Sequence, residues 1–210
     1  MVILFYYLCI IIKMKWIAMA KLQKSIDKRA ALLKATLCLV NSGGIQEACM
    51  AKVAKMADVS PATIYLYFEN KQDMINQLYL AVKEEFTQSA FEQFDLNQPV
   101  KKSFEQIWFN MFVYKQSNLE EASFLSQCDN TPMIDEATRQ AGLKYLQPLF
   151  DLWAKGQREG IIKEFSPFLL YAFTVYPIAF FINMQKSELC KVTDQTLKEA
   201  FQAAWDSIKV

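Results

Sequence analysis

The stretch from Met50 to Phe68 restricts the possible fold more than any other part of the chain. Met50, Val53, Ala54 and Ala57 are apolar at helical spacing, which predicts a short helix over about 50–57. A second short helix is predicted from Ser60-Pro61 to about Phe68. Ser60 offers an N-cap hydroxyl, and Pro61 occupies the first helical position, where a missing N–H costs nothing. Ile64 and Phe68, one turn apart, are expected to pack inward. Only Asp58, Val59 and Ser60 separate the two patterns. Helices this short and this close form a helix-turn-helix, the unit that presents its second helix to a DNA major groove. Asp58 falls where the turn needs a left-handed residue, a conformation that Asp accepts less readily than Gly.

Helical patterns continue on both sides. A helix over about Ile26 to Asn41 carries Ile26, Leu33, Leu37 and Val40 on one stripe and is stopped by Gly43-Gly44. Asn70, followed by Asp73, opens a long helix running toward Phe94. Beyond it, Pro99 starts a helix to about Ser117, and Asn118 with Glu121 caps another to about Gln127. Thr131-Pro132 is read as the start of a helix to about Gln157, bent at Pro148. Ser166-Pro167 opens the next, in which Phe168 to Ile182 carries no charge; a helix apolar on every side is expected to be buried on every side. Thr193 caps the last helix, whose Leu197, Phe201, Trp205 and Ile208 share a face. Five Gly and six Pro in 210 residues are too few turn-makers for a protein of many hairpins. The expected class is all-α. A DNA-binding helix-turn-helix domain is assigned to residues 21–70 and a helical effector-binding and dimerisation domain to 71–210, after an apolar extension over 1–20.

Charge separates the chain in the same way. Residues 1–80 hold 10 basic and 5 acidic side chains, a net of +5. Residues 81–210 hold 13 and 17, a net of −4. A basic front and an acidic back suggest different partners. There is no histidine. That excludes Ser-His-Asp and Cys-His catalysis, histidine-ligated zinc and an imidazole pH switch. The cysteines Cys9, Cys38, Cys49, Cys128 and Cys190 include no C-x-x-C pair and read as reduced, mostly buried thiols of a cytoplasmic protein. Redox sensing through Cys49 or Cys128 is the sharper alternative. No cofactor, metal or catalytic residue is assigned.

The run Val53-Ala54-Lys55-Met56-Ala57-Asp58-Val59-Ser60-Pro61-Ala62-Thr63-Ile64-Tyr65-Leu66-Tyr67-Phe68-Glu69-Asn70-Lys71 resembles the DNA-binding signature of the tetracycline-repressor (TetR-type) family of bacterial regulators. The resemblance covers roughly Lys24 to Tyr79, and Thr-Ile-Tyr-x-Tyr-Phe-x-x-Lys is its most specific part. Two positions depart from the pattern: Asp58 stands where the family usually has Gly, and Ala48-Cys49 replace the usual Ser/Thr before the second helix. The resemblance implies that Thr63, Tyr65, Tyr67 and Lys71 hold phosphates. It places Pro61, Ala62 and Leu66, with Ala51 and Lys52 from the preceding helix, at or beside the bases, with Ser60 as cap. Lys28, with Lys21, Lys24 and Arg29, is placed near the backbone or minor groove. Few Arg, Asn or Gln face the bases, so specificity would lean on thymine methyls and DNA shape.

By the same resemblance the last two helices form an isologous dimer interface, with Phe173, Phe180, Leu197, Phe201, Trp205 and Ile208 assigned to it and Phe201 and Trp205 as central anchors. Trp108, Met111, Phe112, Phe124, Cys128, Trp153, Tyr171 and Tyr176 are candidates to line a cavity for an apolar or aromatic effector. The expected function is a homodimeric, ligand-responsive regulator, a repressor on inverted-repeat operator DNA. Two other readings stay open. One is a membrane-associated regulator using the apolar run Val2 to Ile12, although eleven residues fall short of the roughly 20 needed to span a bilayer. A start assigned too far upstream, with Met14 or Met19 as the initiator, is the favoured account of that run, and no stable membrane insertion is expected. The other is a small-molecule enzyme, which lacks a supporting motif.

Overall fold

The computed structural model describes residues 2–187, 189 and 191–210; the side chains of residues 1–14, 17 and 18 fall outside that description. The apolar run over 2–12, Cys9 and Cys190 therefore lie outside what can be said of side chains. Among the described residues the elements are helices, in the order α1 (Val2–Gly43), α2 (Met50–Met56), α3 (Pro61–Ile64), α4 (Lys71–Ala90), α5 (Val100–Ser117), α6 (Leu119–Asn130), α7 (Glu136–Lys144), α8 (Gln147–Arg158), α9 (Pro167–Thr174), α10 (Tyr176–Lys186) and α11 (Asp194–Ile208). A single isolated bridge joins Ile162 and Lys209. The chain forms two packed units, Met1–Leu78 and Tyr79–Val210, with the boundary inside α4.

In the first unit α2 packs on α1 and α3 packs on α2. Leu33, Leu37, Val40, Val53, Ala54, Ile64, Phe68, Met74 and Ile75 are buried together there. Ile26 departs from the expected stripe: it is half exposed, and the packed part of α1 begins at Leu32. The turn after α2 closes as a Schellman motif, with Val59 N–H donating to the Ala54 carbonyl at 3.0 Å and Asp58 N–H to Lys55 at 3.3 Å. Asp58 takes φ +53°, the left-handed conformation that its place in the turn demands. Asp58→Gly is expected to raise the stability of this unit by about 0.5–1 kcal/mol, read as a higher urea midpoint at unchanged m-value.

Helix α3 is shorter than expected. After Ile64 the chain tightens into successive three-residue turns, Leu66 N–H to Thr63 and Tyr67 N–H to Ile64, and these carry it to the buried Phe68. Asn70 Oδ1 accepts from Asp73 N–H and Asp73 Oδ2 from Glu69 N–H, both at 2.9 Å, a reciprocal cap that starts α4.

In the second unit α5 is the central helix, packed by α6, α8, α10 and α11, while α11 also packs on α9. Proline sets the boundaries here more sharply than anticipated. Pro148 opens α8 instead of bending a longer helix, and Pro177 opens α10, so the apolar stretch is divided at Val175. The helix expected from Thr131-Pro132 begins at Glu136, capped by Asp135, whose Oδ1 accepts from Thr138 N–H at 2.7 Å. Asn118 does not cap α6 with its side chain; its amide donates back to the Tyr114 carbonyl. Thr193 and Ser166 cap α11 and α9 as expected.

The stretch Pro167–Lys186 is long and apolar enough to cross a membrane by length and composition alone. Its packing is one-sided. Leu170, Thr174, Val175, Ile178 and Ile182 are buried, whereas Phe168, Leu169, Phe173, Tyr176 and Phe180 are exposed. The expectation of burial on every side is therefore corrected: the division at Val175 leaves one apolar stripe on the core and a second facing outward.

Candidate nucleic-acid interface and ligand cavity

The helix-turn-helix presents its outward residues as the motif requires. Ser60, Pro61, Ala62, Tyr65 and Leu66 are exposed, Leu66 at 81%, and Thr63, Tyr67 and Lys71 are half exposed. Ser60 Oγ accepts from Thr63 N–H at 3.2 Å and shares a hydroxyl–hydroxyl bond with Thr63 at 2.7 Å, which fixes both side chains at the start of α3. Tyr67 is held differently. Its hydroxyl lies 3.2 Å from Ser25 Oγ on α1, and its carbonyl accepts from Gln77 Nε2 at 3.4 Å. Gln77 is in turn bonded to Asp73 and to the Arg29 guanidinium. Arg29 thus braces the turn after α3, and both it and Lys28 are half exposed.

On α2, Ala51 and Lys52 are exposed. Lys52 Nζ pairs with Glu47 at 2.5 Å. That hydrogen bond and charge lower the Glu47 pKa and raise that of Lys52. Cys49, the N-cap residue of α2, makes no side-chain cap bond. The partners Ser25 and Gln77 were not anticipated, because hydrogen bonds between distant residues leave no periodic trace in a sequence; Glu47, only five residues from Lys52, was also missed.

The second unit holds a cavity of about 270 Å³ lined by Tyr79, Lys83, Asp129, Arg139, Leu143, Leu146, Phe150, Phe168, Tyr171 and Tyr176. Of the eight side chains expected at a cavity, Tyr171 and Tyr176 line it. Trp108, Met111, Phe112, Phe124, Cys128 and Trp153 do not: each is at most 1% exposed and belongs to the core. Trp108 stacks along Phe112 and donates its indole N–H to the Thr174 carbonyl at 2.8 Å, while Trp153 packs between Phe104 and Phe150. Burial pushes the Cys128 thiol up to about 12, which leaves it protonated and removes it as a redox sensor. The other cysteines depart from the expected burial, Cys38 being exposed and Cys49 partly so.

The charges at the cavity are Lys83, Arg139 and Asp129. Lys83 is 5% exposed, and burial pushes its pKa down. Arg139 donates to the Cys128 carbonyl at 3.1 Å, and its Nε lies 3.9 Å from Glu136. Tyr176 donates to Asn130 Oδ1 at 3.0 Å, and burial raises the pKa of Tyr79 to about 12.

The interface assignment divides. Phe173 and Phe180 are exposed and Leu197 partly so. Phe201, Trp205 and Ile208 are turned inward within the single chain, at 3%, 5% and 0% exposure, and this corrects their reading as interface anchors. Phe201 and Trp205 pack on Phe104 of α5, so α11 hides its apolar face without a second copy.

Residues 99–209 match the family described as "Tetracyclin repressor-like, C-terminal domain", and residues 32–78 match "Bacterial regulatory proteins, tetR family". An HTH-type transcriptional regulator of Haemophilus influenzae is 25% identical over 89% of this chain and 98% of its own. The crystal structure of a TetR family transcription regulator from Marinobacter aquaeolei superposes with a TM-score of 0.83 at 24% identity, over 89% of this chain and 98% of that one. The FadR transcriptional regulator of Bacillus subtilis, crystallised in complex with stearoyl-CoA, gives a TM-score of 0.65 at 19% identity, over 84% and 95%.

Proposed function

Since the chain belongs to the tetracycline-repressor (TetR) family of bacterial transcriptional regulators, we propose that it acts as a homodimeric repressor on an inverted-repeat operator and is released by a small effector in the cavity of its second unit. The observation that carries the DNA half of this reading is the outward face of α3. Its hydroxyls are pre-positioned by local hydrogen bonds, and Leu66 and Ala62 stand bare beside them, available to thymine methyls. Phosphates fix the register through Thr63, Tyr65, Tyr67 and Lys71, while DNA shape supplies the discrimination that so few amides and guanidinium groups can give.

The outward stripe of Leu169, Phe173, Tyr176 and Phe180 is the surface on which two copies meet. Leu197 flanks it. Effector binding favours one dimer geometry over the other by its differential affinity and so moves the two recognition helices out of register with successive major grooves. A cavity of about 270 Å³ suits a compact effector, not a long acyl-CoA of the kind bound by the Bacillus regulator.

The test is binding to inverted-repeat DNA selected from random sequence, measured over a range of salt. Affinity should fall steeply with salt, by roughly 0.9 in log–log slope for each phosphate neutralised. Lys71→Ala is expected to weaken binding to every sequence alike and to flatten that slope by about one phosphate contact. An unchanged slope would remove Lys71 from the interface, and the absence of any salt-dependent binding would remove the operator reading.

A further inference from the structure

We propose that the cavity of the second unit is a binding site for a compact carboxylate monoanion, its charge received by Lys83 with Arg139 alongside. The inference rests on the effector reading above and adds the chemical class. Lys83 is the starting point. It lines the cavity and is 95% removed from solvent, and its ammonium makes no hydrogen bond or ion pair with any described residue. Its ammonium lies 5.7 Å from the centre of the Phe86 ring. Lys115, equally buried on α5, stands 5.5 Å from the centre of the same ring. Burial first, and then the charge of Lys83, bring Lys115 down to about 8.

A buried cation without a hydrogen-bonded or ion-paired partner is expensive to maintain in a protein interior, even with the Asp129 charge at the same cavity. Here the missing partner has a place to sit, because Lys83 reaches the cavity and Lys115 does not. With Lys83 protonated, Lys83 and Arg139 against Asp129 leave the lining one positive charge in excess, which one carboxylate balances and a phosphate dianion would overshoot; burial holds the Lys83 pKa down in the free protein, and a bound carboxylate favours its proton. Tyr79 and Tyr171 are held protonated by burial and add neutral donors. The remaining wall, Leu143, Leu146, Phe150 and Phe168, is apolar and sets the character of the ligand's tail. At roughly 30 Å³ for each non-hydrogen atom, as for liquid water, the space holds about nine or ten such atoms, the size of benzoate or octanoate.

The test titrates the full-length protein by calorimetry with benzoate and octanoate, and in parallel with benzamide and octan-1-ol. The carboxylates should bind at least tenfold more tightly than their neutral counterparts. Lys83→Met should abolish that preference, leave the weak binding of the neutral compounds in place, and melt no lower than the parent because it removes an uncompensated charge. Lys115→Met should keep the preference, since that lysine stands outside the cavity. Equal affinity for acid and amide, a preference that survives in Lys83→Met, or no carboxylate binding into the millimolar range would each overturn the proposal. Operator release is measured separately. A carboxylate that binds through Lys83 without releasing DNA would leave the anion site standing and defeat its role as effector. A neutral compound that releases DNA from the cavity, with carboxylates inert, would do the reverse.

Discussion

Phe201→Asp is expected to unfold the second unit and not to yield a folded monomer. Phe201 is 3% exposed, and its ring lies 5.9 Å from that of Phe104 and 5.8 Å from those of Trp108 and Phe109. Removing the ring alone would cost about 3–5 kcal/mol, as large-to-small core changes do. The carboxylate adds the cost of desolvating a charge among aromatic rings, so the sum approaches the whole stability of a domain this size, about 5–15 kcal/mol. Thermal melting followed by circular dichroism should show the cooperative transition of the parent lost or moved down by more than ten degrees. A folded, cooperatively melting monomer would restore Phe201 to the subunit interface that the family resemblance implies.

Phe180→Asp should do the opposite. Phe180 is 61% exposed, so a carboxylate there stays in water in the single chain and should change folding stability by no more than about 0.5 kcal/mol. In the proposed dimer the same carboxylate meets the partner's apolar stripe and is buried without a counter-charge, at several kcal/mol. Sedimentation should find a folded monomer. Operator affinity should then drop by about a hundredfold or more, because two linked half-sites gain from effective concentration what one cannot. A Phe180→Asp protein that sediments as a dimer and binds its operator normally would move the interface off α9 and α10.

The contrast between these two phenylalanines shows where sequence reading stops. The helix-turn-helix was legible because its determinants are local: Ser60 and Pro61 start a helix, Asn70 and Asp73 start another, and Asp58 marks the left-handed turn between the short helices. Helices α5, α9 and α11 were legible at their starts for the same reason. What a local pattern cannot say is which partner an apolar face meets. Phe201 and Phe180 look alike in a sequence; one meets Trp108 in its own chain, and the other meets solvent. The cavity failed for a related reason. Aromatic spacing on α5 picks out Trp108, Met111 and Phe112, but that stripe is fully buried in the core. The cavity opened instead where Lys83, Asp129 and Arg139 from three helices converge, and a lone lysine on a helix reads as a solvated one.

The pairing of Lys52 with Glu47 sets how much of a phosphate contact counted in a salt titration is felt as affinity. Glu47 already holds the lysine before any nucleic acid arrives. When Lys52 swings to a phosphate, the DNA still sheds the condensed cation that the lysine replaces, so the contact registers in the slope. The ion pair it leaves behind is lost, which offsets part of the gain. Affinity per counted phosphate then falls short of what an unpaired lysine would give. Because the Glu47 pKa is depressed by the same pairing, mild acidification would not free Lys52; replacing residue 47 with glutamine would, and should raise affinity with little change in slope.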